Sequence, residues 1–169
     1  ILGCAQPKFL YGINNIFSYK NFDLSFFFQG SYGNDIYNAT RMFTEGMFDS
    51  RNQSDRVLMR WLNPGDYTTV PRAEKDKYPA ISSRFVEDGS YFKLKNVKLS
   101  YTLPRPLTRK ALMDRVTVYI SGDNLVTFTN YRGYDPEVNI GGGSSSAMGI
   151  DQGVFPHART YILGATIVF

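Results

Sequence analysis

The sequence predicts an all-β fold of antiparallel strands long enough to cross a lipid bilayer, and three observations predict it. Five segments alternate apolar and more polar side chains, as a strand with two unlike faces does. The segments run to 11 or 13 residues; strands of water-soluble proteins usually have about 5 or 6, and a tilted bilayer-crossing strand needs about 9 to 11. The connections between the segments alternate strictly between short and long, as in a barrel with short turns on one side of a membrane and long loops on the other.

The first strand is placed at residues 9–19, with Phe9, Tyr11, Ile13, Phe17 and Tyr19 in one parity. Lys20 and Asn21 turn the chain into the second strand, 22–32, where Leu24, Phe26 and Phe28 share one face and Asp23, Ser25, Phe27 and Gln29 the other. The third, 91–103, sets Val97, Leu99, Tyr101 and Leu103 against Asn96, Lys98, Ser100 and Thr102. Residues 104–114 lead to the fourth, 115–127, with Val116, Val118, Ile120 and Val126 opposite Thr117, Ser121, Asp123 and Thr127. The fifth, 159–169, places Tyr161, Leu163, Ala165, Ile167 and Phe169 on one face.

Two long connections, 33–90 and 128–158, complete the pattern. A loop of nearly 60 residues would be out of place in a compact soluble domain. In a barrel both become extracellular loops and both short turns become periplasmic, so strands one, three and five descend while two and four ascend. Aromatic residues near strand ends, among them Tyr11, Tyr19, Phe22, Tyr32, Tyr91, Tyr101, Phe128, Tyr161 and Phe169, are expected to form the interfacial girdles of such a wall. The rival fold is a soluble β-sandwich acting as a carbohydrate-binding module. It shares the alternation but not the strand length, the alternating loops or the terminal Phe.

Composition narrows the function. The aromatic content is high, with 12 Tyr, 13 Phe and 1 Trp, and 15 Gly fit a chain of strands and turns. The net charge of +4 is scattered, without the dense Lys/Arg run of a nucleic-acid binder. Cys4 is the sole cysteine, which excludes an internal disulfide and a zinc cluster. No nucleophile motif accompanies the single histidine, His157, so no enzyme activity and no cofactor are expected. No run of about 18 apolar residues marks a membrane helix, and the start, ILGCA, lacks the features of a signal peptide. An export signal is therefore expected upstream of residue 1.

Four blocks of sequence resemble a known family. Residues 124–137, NLVTFTNYRGYDPE, look like the penultimate-strand signature of SusC/RagA-type TonB-dependent outer-membrane transporters. Residues 89–104, GSYFKLKNVKLSYTLP, are similar to that family's preceding strand, 21–38 to an earlier one, and 156–161, PHARTY, to the lead into its final strand. Ser100 and Lys93 depart from the Gly and Arg common at those places. The resemblance implies the last five strands of a barrel of about 22, with the plug, the TonB-contact segment and the remaining strands outside this chain. It also implies an outer-membrane location and import of oligosaccharides or peptides with a SusD-like surface lipoprotein, energised through TonB.

Candidate functional residues fall in two places. In the first long loop, Trp61, Tyr67 and Tyr78, with Arg51, Asp55 and the nearby Asp49 and Arg56, could hold a sugar by ring stacking and hydroxyl bonding, or meet the lipoprotein. The simpler expectation is that Trp61-Leu62-Asn63-Pro64-Gly65 folds the loop upon itself. At the chain end, Tyr161, Leu163, Ala165, Ile167 and Phe169 resemble the signal read by barrel-assembly machinery. The segment Tyr134-Asp135-Pro136-Glu137, with Asp151, has too few alternating carboxylates for a calcium loop and reads as a turn. Gly141-Gly142-Gly143 and the three serines after it read as a loop tip rather than a phosphate loop.

Overall fold

A computed structural model describes residues 2–137, 139–140 and 147–169, so the Gly141–Ser146 loop tip lies outside the described residues. The chain divides into two compact units.

One unit, residues 8–32, 90–130 and 157–169, is a five-stranded antiparallel sheet. Its strands are β1 (Phe9–Tyr19), β2 (Phe22–Tyr32), β5 (Tyr91–Thr102), β6 (Arg115–Thr129) and β8 (Thr160–Val168), adjacent in that order. The remaining strands, β3 (Asp35–Asn38), β4 (Val86–Asp88) and β7 (Ile150–Asp151), belong to the other unit. The β1–β2 hairpin closes through a two-residue turn in which Lys20 takes a left-handed φ of 53°. The Asn21 side-chain amide donates to the Thr102 carbonyl at 2.7 Å, fastening this turn to the end of β5. The 104–114 connection contains a short helix, α2 (Arg105–Thr108), with Pro104 at its start.

Register sorts the side chains. Tyr19 pairs with Phe22, Phe22 with Tyr101, Tyr101 with Val118, and Val118 with Ala165. One face therefore carries Ile13, Phe17, Leu24, Phe26, Phe28, Leu99, Ile120, Leu163 and their neighbours, with Asn15 an isolated amide among them. The opposite face is mixed: Asp23, Ser25, Gln29, Asn96, Lys98, Ser100, Thr117, Ser121 and Thr166 stand beside Leu10, Ile16, Phe27, Tyr119 and Ile162. Paired residues stay on one side of a sheet because Cβ direction alternates along every strand. On the apolar face rings cluster toward both ends. Phe9 stacks on Tyr32 at 5.2 Å and Phe28 on Phe92 at 4.8 Å at one end, and Phe22 meets Tyr101 at 4.6 Å at the other. Tyr91 departs from the girdle expectation: it pairs with Ser31 and Thr129 on the polar face, where its hydroxyl accepts from Gln29.

One irregularity crosses the wall. Between the Phe27–Asn96 and Phe28–Leu94 pairs, β5 holds one residue more than β2, and β6 bulges in turn around Asn124, whose φ is +54°. Side chains stitch the bulge: Asn96 donates to Asp123 at 2.7 Å, Lys95 to Asn124 at 3.4 Å, and Asn124 to the Ala158 carbonyl at 3.2 Å. Bulges bend and twist a strand, as a curved wall requires.

The other unit, residues 1–7, 33–89 and 131–156, gathers both long connections. At its centre lies a three-stranded sheet in the order β4-β3-β7, antiparallel between β3 and β4 and parallel between β3 and β7. A short helix, α1 (Ala39–Thr44), follows β3 directly, and Asn38 caps it by accepting from the Arg41 amide at 2.8 Å. Ile36, Ala39, Phe48, Val70, Phe85 and Tyr131 are buried in it. The long connections thus supply their own core.

Candidate functional site

The loop unit is organised around one carboxylate. Glu45, 1% exposed, follows α1 and lies one helical turn beyond Arg41, whose Nε donates to Glu45 Oε1 at 2.9 Å. A 3₁₀ turn at Asp55–Met59 places Arg56 Nε 3.0 Å from the same oxygen. A second 3₁₀ turn, Ser83–Phe85, sends the Arg84 guanidinium to Glu45 Oε2 at 3.1 Å. Arg41 also reaches Glu87 on β4 at 2.7 Å, and Glu87 in turn accepts the Arg132 backbone N–H at 3.0 Å. Burial lowers the Arg41 pKa, but the hydrogen bonds to Glu45 and Glu87 outweigh it and hold the guanidinium above its ordinary value. Such a cluster is tolerated only while every charge keeps its partner, since removing one side of a buried pair costs about 3–5 kcal/mol. The segment around β7 is tied in by the Tyr131 hydroxyl, which donates to Asp151 at 2.5 Å. Burial and the Asp151 carboxylate push the Tyr131 phenol above its usual range.

Two clefts border the cluster. One, of about 470 Å³, is lined by Arg41, Glu45, Ser54, Arg56, Arg132 and Asp151 among others. The second, of about 330 Å³, is lined by Arg72, Glu74, Lys77, Tyr78, Arg84 and Phe85 among others.

No protein-family model matches the chain. Over its full length it is 39% identical to TonB-dependent receptor P3 and 36% identical to TonB-dependent receptor P26, both of Formosa agariphila. It is 28% identical to the TonB-dependent receptor SusC of Bacteroides thetaiotaomicron over 95% of its residues. Among solved structures it is similar to the RagAB peptide transporter, with a TM-score of 0.82 and 27% identity over 96% of this chain. It is also similar to the RagAB peptide importer in a closed-closed state, with a TM-score of 0.80 and 26% identity. The chain is a piece of a SusC/RagA-type TonB-dependent receptor barrel. It spans 17% of the length of receptor P3 and 17% of that RagAB transporter chain.

For a SusC/RagA-type barrel the two faces of the sheet acquire meaning. The apolar face is the outer-membrane lipid face, and the hydroxyl-rich face is the inner wall. The rival β-sandwich reading is set aside by these likenesses. The relatives are named as receptors, and the neighbouring structures as an importer or transporter.

The residues singled out in the first loop do not converge. Tyr78 lines the smaller cleft and packs its ring 4.3 Å from that of Phe48. Arg51 pairs with Asp49 at 3.0 Å and lies over the Phe43 ring, Asp55 opens a 3₁₀ turn, and Tyr67 stands fully exposed. Trp61 is half-buried, and its amide donates to the carbonyl of buried Val70 at 3.0 Å. Asp66 closes the turn after it by accepting the Leu62 and Asn63 amides at 2.9 and 2.8 Å. Neither Trp61, Tyr67, Arg51 nor Asp55 lines the two clefts.

The Glu45 cluster escaped the sequence reading. Arg41 and Glu45 carried a signal, the four-residue spacing of a helical ion pair; Arg84 and Glu87 carried none. At the chain end, Tyr161, Leu163, Ala165 and Ile167 lie on the lipid face of β8, with Phe169 exposed beyond it.

Proposed function

We propose that this chain forms part of the wall and the extracellular loop region of a TonB-dependent importer. That importer takes up oligosaccharides or peptides together with a SusD-like surface lipoprotein. The observation that carries the reading is the sorting of five strands into an apolar and a polar face, in a chain that matches SusC and RagAB over nearly all its length. Mechanism at this part of the molecule is structural. The sheet lines a passage with hydroxyl, amide and charged side chains, and energy enters through TonB contacts made outside this chain. The loop unit faces the cell exterior and meets cargo or lipoprotein. Tyr78 is the residue of the first-loop set best placed to touch cargo, with Trp61, Tyr67, Arg51 and Asp55 on the surrounding surface.

A structural neighbour that is a peptide importer supports peptides; oligosaccharides rest on the resemblance of the sequence blocks to SusC/RagA-type transporters. The test is mild detergent extraction of native outer membranes, mass spectrometry of the complex, and uptake assays with and without TonB. Recovery with a surface lipoprotein and TonB-dependent uptake are expected; a detergent-free soluble monomer would overturn the reading. Tyr161, Leu163, Ala165, Ile167 and Phe169 act as the assembly signal, so deleting Phe169 lowers the amount of inserted barrel more than uptake per inserted molecule.

A further inference from the structure

The larger cleft of the loop unit holds more positive than negative charge, and its cations are not all engaged. Its ionisable lining is Arg41, Arg56 and Arg132 against Glu45 and Asp151, three cations to two anions. Both anions are occupied. Glu45 binds Arg41 and Arg84 through separate oxygens, and Asp151 accepts from the Tyr131 hydroxyl and the Val154 amide. Arg41 is also taken, by Glu45 and Glu87.

Arg56 and Arg132 differ. Arg56 Nε lies within ion-pair distance of Glu45, yet its N–H is aimed away from the oxygen and makes no hydrogen bond, although the atom is buried. The Ser54 hydroxyl, in the wall of the same cleft, is likewise buried without a partner. Arg132 engages the cluster through its backbone amide, and its exposed side chain makes no ion pair among the described residues. Two guanidiniums and a hydroxyl thus line a space of small-ligand size with donors to offer. Buried donors without acceptors are rare in folded chains and mark a place where a ligand or water completes the set.

We propose that this cleft binds a carboxylate of the cargo, with Arg56 and Arg132 as the cationic groups and Ser54 Oγ as a further donor. A guanidinium presents its N–H groups in a planar fork that matches both oxygens of a carboxylate. The exposed ring of Tyr134 at the same cleft offers a flat face to the adjoining unit of the cargo. The inference deepens the import reading and rests on it; the carboxylate belongs to an acidic sugar or to an acidic peptide.

The test uses the full-length receptor in detergent and four probes in calorimetric titration. These are an oligouronate and its carboxyl-reduced form, and an oligoglutamate and the matching oligoglutamine. One acid is expected to bind at least about 10-fold more tightly than its neutral counterpart, the scale of one charge-assisted contact. Its affinity falls as salt rises. R132Q, which leaves the Glu45 pairs untouched, is expected to remove most of that preference, and the R56Q/R132Q pair all of it. The acid that binds identifies the source of the carboxylate. Equal binding of acid and neutral probes, no binding of either acid, or full affinity in R132Q and in the double variant would overturn the proposal. TonB-dependent uptake of neutral cargo without any carboxylate preference sinks this inference alone. Carboxylate binding with no uptake of any cargo sinks the import reading instead.

Discussion

In the five-stranded sheet large apolar side chains stand open, Leu163 at 82% exposure and Phe17 at 57%, whereas in the loop unit Ile36 and Phe85 are sealed at 1% and 2%. Both units draw on the same aromatic and aliphatic residues. The sheet keeps its polar groups on the opposite face and leaves its hydrocarbon for lipid; the loop unit turns its hydrocarbon inward and builds charge pairs around it. Exposure of an apolar residue therefore reports which solvent the unit was selected for, not how well it is packed. Internal rigidity also has different sources. Long backbone ladders hold the wall, while short ladders, a small apolar core and buried ion pairs hold the loop unit.

The comparison can be broken most sharply at Glu45. E45A leaves Arg41, Arg56 and Arg84 clustered without their shared carboxylate, and about 3–5 kcal/mol of local stability should be lost. Hydrogen exchange in the full receptor should show α1 and β4 deprotected and β5 and β6 unchanged. Equal deprotection of both would end the distinction drawn between the units. On the wall, V97R puts a cation on the lipid face and should cost about 2–4 kcal/mol where the strand lies near the midplane. S100R, on the inner face opposite Asp23, should cost almost nothing. Urea unfolding in bilayers, followed by gel mobility, compares the two, and equal costs would refute the face assignment.

A smaller effect is expected at Gly164, where an added Cβ would lie 2.5 Å from the Tyr119 ring that covers it. G164A should cost about 1–3 kcal/mol by the same unfolding assay, as overpacking does. The smallest concerns acid. The backbone amides of Asn63 and Leu62 hold the Asp66 carboxylate below its ordinary 3.8. The folded turn thus binds the proton less tightly than the unfolded chain. Its stabilising effect is complete above about pH 3.8 and drains away as pH falls below that value. Amide exchange at Leu62 and Asn63, corrected for intrinsic rates, should rise in acid before the wall responds.

The wall was legible because lipid on one side and a polar interior on the other impose a period of two over many residues. β1 and β2 occupy the residues where that alternation begins and ends. β6 continues two residues beyond the expected 127, to Thr129, because pairing with β5 resumes after the bulge. The small sheet of the loop unit left no such trace. Its strands are two to four residues long, and Ile36 pairs with Glu87 and Tyr37 with Ile150 across distant sequence. For the candidate cleft, Arg56 was visible as a charge near Trp61. Ser54 and Arg132 gain their meaning only from being folded against the same space.

The bulge in β5 works as a change of reading frame. Below it the lipid-facing letters are odd, Val97, Leu99 and Tyr101; above it they are even, Leu94 and Phe92. Deleting Lys95 alone would remove the bulge and leave both halves on their own sides, whereas flattening the bulge with Lys95 kept would make one half of the strand read on the wrong side. In the flattened strand, with the lower half held in place, the buried ammonium of Lys93 would be delivered to the hydrocarbon and the ring of Phe92 to the passage. Substitutions in this wall are therefore judged one position at a time, whereas changes of length are judged by whole half-strands. A one-residue change of length away from the bulge survives only when a second one nearby restores the frame.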